Sequence, residues 1–367
     1  MDGWDALIVG GGPAGSTCAS ALRQAGWRVI VLDRARFPRD KVCAGWVTPR
    51  VFQLLGLDPA EYRATGLTIQ TITGFRTSVM GGPAIDTRYG RAISYAIRRC
   101  EFDAFLLTRS GAEVRHATPL TSLERRGGMW VANGGIRARV VVGAGGHFCP
   151  VAKYLRAGEP DGPRPVVAKE AEFRLDAGGS GVAGELPELF FCRDLEGYGW
   201  CVRKGDYLNI GLGRRENGDL NAHVADFMGF LERHGLAARA SQVRWHGHAY
   251  LASGTGTRPL IGDGALVAGD AAGLAYPESG EGIKPAVESG RLAADTLIAA
   301  NGRVGMEALM PYETELRRRY PPAGRTPRAL SGVIKAVGRG LMQSPAFTRR
   351  VVIDRWFLRT CIDEFTN

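Results

Sequence analysis

The chain has 367 residues, a formal net charge of +10 and seven scattered cysteines with no CxxC pair. That length can bury a large core and suggests two lobes. The cysteine usage reads as free thiols in a reducing compartment rather than a disulfide framework. No apolar run approaches the roughly 18 residues a membrane-spanning helix needs. A basic balance suits nucleic acid or an anionic membrane surface. Nothing resembles an aromatic and basic nucleic-acid platform, so no nucleic acid is expected. The first strand starts by about residue 5 and leaves no room before it for a signal or transit peptide. The expectation is a cytoplasmic protein, soluble or peripheral to a membrane.

The first element is Ala6–Val9, an apolar run without alternation, as in a buried parallel strand. Gly10, Gly12 and Gly15 follow as G-x-G-x-x-G, with Pro13 and Ala14 between them. Such glycines permit a tight turn, close approach of backbone to a pyrophosphate, and close helix packing. Ser16–Ala25 is helix-compatible, its positive dipole end facing the phosphates. Val29–Leu32 is a second strand. It ends in Asp33, where an acid meets a ribose hydroxyl. Residues 34–46 are a loop on the ligand side. Pro49–Leu55 is a short helix, Leu67–Arg76 a strand, Ala92–Ala96 another, and Arg98–Leu107 an amphipathic helix.

Glu113–Leu123 and Trp130–Val142 read as strands joined by Arg126-Gly127-Gly128. The second runs into Ala144-Gly145-Gly146 and returns the chain to the nucleotide site. From about 160 to 252 the βαβ rhythm breaks. The strands Glu170–Leu175, Glu188–Cys192, Gly199–Val202 and Tyr207–Leu212 and the helix Leu220–His234 suggest a substrate lobe. Ala265–Ala268 is a strand leading to Gly269 and Asp270. Gly280, Gly282 and Ile283 then open a helix to Ala300. An acid at a strand tip beside a glycine-rich helix start suits a polyol and an electron-poor ring edge, as in a flavin. His246 and His248 lack an evident third ligand, so no metal is expected. From about 303 the tail is helical and basic, with Leu330, Val333, Ile334, Val337 and Leu341 on one stripe. That stripe fits either membrane contact or packing on the substrate lobe.

These motifs carry a resemblance. Gly10-x-Gly12-x-x-Gly15, Asp33-Arg34, Arg99-x-x-Phe102-Asp103-x-x-Leu106 and Gly269-Asp270-Ala271-Ala272-Gly273 resemble the FAD-binding signatures of the p-hydroxybenzoate hydroxylase superfamily. Phe37-Pro38-Arg39-Asp40-Lys41-Val42-Cys43, Pro277-x-x-Gly280-Glu281-Gly282-Ile283 and the run from Tyr198 to Gly213 resemble geranylgeranyl reductases more narrowly. The resemblance spans about residues 5–300.

It implies an α/β fold, with a Rossmann-like FAD-binding domain, an inserted β-sheet substrate domain and a helical C-terminal tail. The expected division is 1–160, with a strand excursion at about 66–97, then 161–255, a return segment 256–302, and 303–367. FAD is the implied cofactor. Gly12–Gly15 would bind its pyrophosphate, with Asp33 and Arg34 at the adenosine ribose. Arg99 would lie near the pyrophosphate and ribityl chain, and Leu120 in a strand passing the adenine. Asp270 would meet the ribityl and pyrophosphate, and Gly282 and Ile283 would offer amides to the isoalloxazine. Cys43 and Ala44 would pass near the ring, and Cys43, Tyr198 and Trp200 would line the substrate side.

The implied activity is reduction of carbon–carbon double bonds in an isoprenoid or other apolar substrate. The alternatives are an FAD monooxygenase, and a flavin-binding electron carrier or interaction protein without turnover. The superfamily often carries Ala-Asp-Gly where this chain has Ala144-Gly145-Gly146. That substitution points away from direct NAD(P)H reduction and toward a ferredoxin-type donor. Where reductases continue Tyr-x-Trp with Phe-Pro, this chain has Val202-Arg203. It has no Trp-x-Trp-x-Ile-Pro pattern of flavin halogenases.

Overall fold

The computed structural model describes residues 3–157, 165–175, 180–215, 219–237, 241–254, 258–321 and 337–359. Its first sheet has eight strands. Trp4–Val9 lies at the centre, parallel to Val29–Leu32 on one side and Ile136–Gly143 on the other. Ala265–Val267 adds in parallel beyond Ile136–Gly143. Leu7, Ile8, Ile30, Val31, Val141 and Val142 are all fully buried. Covered faces on both sides explain why these strands read as unbroken apolar runs.

Because the four strands are parallel, their carboxyl ends emerge together. Gly10, Asp33, Ala144 and Ala268-Gly269 leave from that one edge, the usual ligand crevice of an open parallel sheet. Helices Pro13–Gln24 and Ile283–Ala299 pack against each other beneath it. Their approach is close because Gly290 faces the backbone of Ala14, where any Cβ would collide.

The second sheet has seven strands. Glu188–Phe191, Gly197–Lys204, Tyr207–Arg214, Val166–Arg174 and His246–Tyr250 form an antiparallel run. Gly74–Val79 joins it in parallel and brings Ile85–Arg88 with it. Helix Leu220–Arg233 covers one face through Val224, Phe227 and Leu231. The last helix among the described residues, Thr348–Leu358, packs Val352, Ile353 and Phe357 against Leu189, Phe191 and Trp200. A small third sheet joins Trp46–Val47, Ser94–Ile97 and Ile69–Ile72.

Several expectations need correction. Leu67–Arg76 is not one strand. Ile69–Ile72 belongs to the three-stranded sheet and Gly74–Val79 to the seven-stranded one. The switch falls at Gly74, where a Cβ would collide with the Thr87 carbonyl of the paired strand. Glu113–Leu123 is likewise broken. Only Glu113–Arg115 and Leu123–Arg126 are strands. Leu120 therefore sits in a loop, not in a strand passing the adenine. The chain is held there by local bonds instead: Thr118 N–H donates to the Asp33 carbonyl, and Asn133 bonds the Pro119 carbonyl and the Thr121 amide. Of the apolar tail stripe, Leu330, Val333 and Ile334 lie outside the described residues. Val337 and Leu341 are 56% and 42% exposed.

Candidate functional site

A cavity of about 1650 Å³ runs along the carboxyl edge of the parallel sheet and on to the seven-stranded sheet. At its first end lies the glycine turn. Gly10 adopts φ +110°, and a Cβ there would run into Ala144 of the neighbouring strand end. Gly15 touches the Gly10 carbonyl, closing helix onto strand. Gly12 differs, since a Cβ on it would meet only Arg39 Nη2, at 3.5 Å. It is the N-cap of helix Pro13–Gln24, which has neither a side-chain cap nor an acid in its first turn. The first-turn amides and the positive end of the dipole thus face the cavity without an anion from the helix itself.

Asp33 is buried and ties this turn together. Its carboxylate accepts from Gly11 N and Ala35 N, both at 2.8 Å. Beside it, Asp103 receives a two-pronged bond from Arg99, at 2.8 Å on each side, and a contact from Arg39 at 3.2 Å. Burial works against the Arg99 charge, but Asp103 more than offsets it and holds the guanidinium protonated. Two guanidiniums share one carboxylate. Arg39 Nη1 is buried with no hydrogen-bond partner among the described residues. Such an orphaned cationic donor on a cavity wall calls for an anionic ligand.

Further along, Lys41 Nζ meets His248 Nε2 at 2.6 Å, and that nitrogen stands 3.6 Å from Asp270 Oδ2. Burial pushes Lys41 and His248 toward neutrality. Burial also works against ionised Asp270, but His248 and Lys41 dominate and hold it at about 2. The carboxylate is therefore ionised at any working pH. A Cβ on Gly282 would lie 3.1 Å from Asp270 Oδ1, so this acid sits against the start of helix Ile283–Ala299. Gly280 is left-handed at φ +69°, and the Tyr250 hydroxyl occupies the space a side chain would need.

The far wall is built on the seven-stranded sheet. Tyr198 and Trp200 are two residues apart on one strand and share its face, with ring centroids 6.0 Å apart. The Tyr198 hydroxyl donates to the Ser279 carbonyl. Trp200 Nε1 donates to Asn209 Oδ1 at 2.7 Å. Asn209 Nδ2 reaches the Cys43 carbonyl at 3.4 Å and Glu170 Oε2 at 3.2 Å, and the Cys43 amide donates to the same Glu170 oxygen at 2.6 Å. Lys204, fully buried, pairs with Glu172 at 2.7 Å. The loop carrying Cys43 is thus anchored from behind by a buried polar network. Phe191, Val337, Leu341, Met342 and Trp356 extend the wall with apolar surface.

Every residue given a cofactor or substrate role from the sequence lines this one cavity, apart from Gly15, which packs just behind it. Arg39, Lys41, His248, Tyr250 and Glu281 also line it and were not assigned roles from the sequence. Arg39, Lys41 and Glu281 lay within motifs already noted. His248 was noted only beside His246 as a metal pair and Tyr250 gave no local signal, because only sheet pairing brings them to the site.

A family model described as an FAD binding domain matches residues 4–184. A digeranylgeranylglycerophospholipid reductase of Methanothrix thermoacetophila is 30% identical over 345 residues, covering 85% of this chain and 83% of that protein. The chain belongs to the geranylgeranyl reductase family of FAD-dependent oxidoreductases. Among solved structures, a geranylgeranyl bacteriochlorophyll reductase-like protein of Thermoplasma acidophilum superposes with a TM-score of 0.72 at 20% identity, covering 96% of this chain and 91% of that one. A probable FAD-dependent monooxygenase from Pseudomonas aeruginosa shares the same fold, with a TM-score of 0.67 at 22% identity, 95% and 98% covered.

FAD is the cofactor of this reductase-family chain, and the cavity suits it. The open face of Gly12, the uncapped helix start and the orphaned Arg39 donor match a pyrophosphate. Ionised Asp270 offers acceptors to hydroxyls. No helix among the described residues is long and apolar enough to cross a membrane.

Proposed function

We propose that this oxidoreductase reduces carbon–carbon double bonds of an isoprenoid or similarly apolar substrate. The observation that carries this reading is the aromatic and aliphatic wall of Phe191, Tyr198, Trp200, Met342 and Trp356, which faces the polar half of the cavity. An unactivated alkene offers no polar handle. It is held by apolar area, and aromatic side chains provide that area with few lost rotamers.

In this reading Gly10, Gly12, Pro13, Ala14 and Gly15 hold the pyrophosphate of FAD, with Arg39 and Arg99 balancing its charge. Asp33, Arg34 and Leu120 surround the adenosine. Gly269 and Asp270 hold the ribityl chain. Gly280, Gly282 and Ile283 present backbone to the ring edge, and Ala44 borders it. Bound in its reduced form, the cofactor supplies a hydride. Cys43, Tyr198 and Trp200 position the alkene and exclude water and oxygen from that half of the cavity. We further propose a ferredoxin-type electron donor, because Gly145 replaces the aspartate its superfamily often carries. The basic tail would rest on an anionic membrane surface that delivers the lipid.

The test is anaerobic. Photoreduced enzyme is mixed with geranylgeranyl diphosphate and the flavin absorbance is followed. Reoxidation by the alkene alone supports the reading. Reoxidation only after oxygen is admitted contradicts it.

A further inference from the structure

Reducing an alkene requires a proton as well as a hydride, and among the described residues the cavity wall holds one buried acid whose carboxyl oxygens lack a hydrogen-bond partner. Glu281 lies between Gly280 and Gly282, immediately before helix Ile283–Ala299. It lines the cavity yet is only 7% exposed. Neither of its carboxyl oxygens has a hydrogen-bond partner of good geometry among the described residues. The other acids of the cavity wall are engaged or open to solvent: Glu278 pairs with Arg359, Glu196 is half-buried and Asp40 is exposed. Asp33 binds two amides, and Asp270 faces His248. Glu170 and Glu172, behind that wall, are bonded to Cys43, Asn209, Lys204 and Arg98. A buried carboxylate without donors is costly, whereas a buried carboxylic acid needs only one acceptor.

The charged and titratable groups around Glu281 come from each neighbouring element. Lys284 and Glu288 lie on the helix it opens, and Tyr276 on the segment before. Tyr198 faces it from the seven-stranded sheet, and Arg359 from the end of the last helix. Arg359 is already committed: it pairs with Glu278, and its guanidinium lies 3.7 Å from the Tyr276 ring centroid. Burial raises the Glu281 carboxyl to about 7. The Lys284 charge and amide, and then Arg359, only soften that effect, and Glu288 adds to it.

We propose that Glu281 is the proton donor of the reduction. This rests on the alkene reduction proposed above. One alkene carbon takes the hydride. At the other, a new C–H bond forms as the Glu281 O–H bond breaks. The carboxylate left behind regains a proton from solvent before the next turnover. An acid with this affinity is half protonated near neutral pH, where general-acid catalysis is most effective. Tyr198 shares the electrostatic surroundings of both Cys43 and Glu281, which places the acid among the groups that line the substrate side.

The experiment uses full-length, FAD-loaded protein, with E281Q and E281D beside wild type. Infrared spectra across a pH titration should show a protonated carboxyl band that disappears with a midpoint near 7 and is missing from E281Q. With photoreduced enzyme and geranylgeranyl diphosphate, E281Q should lose roughly 10²-fold or more in single-turnover rate while retaining FAD. E281D should recover part of the rate with a shifted pH midpoint, a result that a purely structural role would not give. In the C43S variant the pH midpoint should stay. Turnover by wild type with an equal rate and unchanged pH profile in E281Q overturns the role of Glu281 alone. A carboxyl band near pH 7 in a wild-type enzyme that leaves the alkene untouched overturns the alkene reading, and the proton-donor role with it.

Discussion

Trp200→Phe separates two contributions of one side chain. The wall stays aromatic and apolar, but the bond from Nε1 to Asn209 Oδ1 at 2.7 Å is lost. Trp200 is 6% exposed and Asn209 1%. A buried acceptor stripped of its donor costs roughly 1–3 kcal/mol. Trp200→Ala would also empty the indole's space, a change of about 3–5 kcal/mol. That is a large share of the 5–15 kcal/mol by which domains are ordinarily stable (about 10), so the phenylalanine variant is the sharper probe. Asn209 also braces the Cys43 carbonyl and Glu170, so its relaxation loosens the Cys43 loop on the substrate side. We expect a fall of roughly 1–3 kcal/mol in urea unfolding, full FAD content, and substrate affinity weakened about tenfold, equivalent to about 1.4 kcal/mol. Unfolding is followed by circular dichroism, cofactor by absorbance, and affinity by titration with geranylgeranyl diphosphate. Loss of FAD with unchanged substrate affinity would refute the placement of Trp200 on the substrate wall.

Other outcomes follow from the same geometry. Gly12→Val places a branched side chain on the open face of the turn and should yield colourless protein; stoichiometric FAD in that variant contradicts the pyrophosphate assignment. NADPH should bleach the flavin far more slowly than dithionite or reduced ferredoxin does, by stopped-flow absorbance, because Gly145 offers no carboxylate. Co-sedimentation with anionic vesicles should fall as salt rises, each tail Lys or Arg contributing about 1 kcal/mol near the surface; no binding at low salt would leave the tail a structural element. Glu281→Gln should stabilise the protein at high pH. The folded carboxyl titrates at about 7 against an ordinary 4.5, so the penalty of ionising it is absent below 4.5 and complete above 7. The gain is about 3 kcal/mol at pH 8 and vanishes by pH 4, read from urea midpoints across that range.

The nucleotide-binding half was legible because its signals are local. Strands buried on both faces leave runs such as Ala6–Val9 and Val140–Val142. The glycines at 10 and 15 are dictated by collisions that any side chain would cause. The strand His246–Tyr250 was not legible, since it is polar and takes its place only by pairing with Val166–Glu170 of the neighbouring strand. Lys41 and His248 meet across 207 residues of sequence, a separation no spacing rule detects. Glu170 and Glu172 alternate as an exposed strand face would, yet they point inward, where Asn209, Lys204 and Arg98 satisfy them. Leu120 was misread as strand because the propensity of its neighbours says nothing of the bonds from Asn133 and Asp33 that hold the loop.

The most direct test of alkene reduction is the mass of the product. Photoreduced enzyme is incubated without oxygen with geranylgeranyl diphosphate, and the extracted lipid is weighed by mass spectrometry. Gain of a pair of hydrogens per double bond is the predicted result. An unchanged substrate without oxygen, together with gain of an oxygen atom once air is admitted, would contradict it.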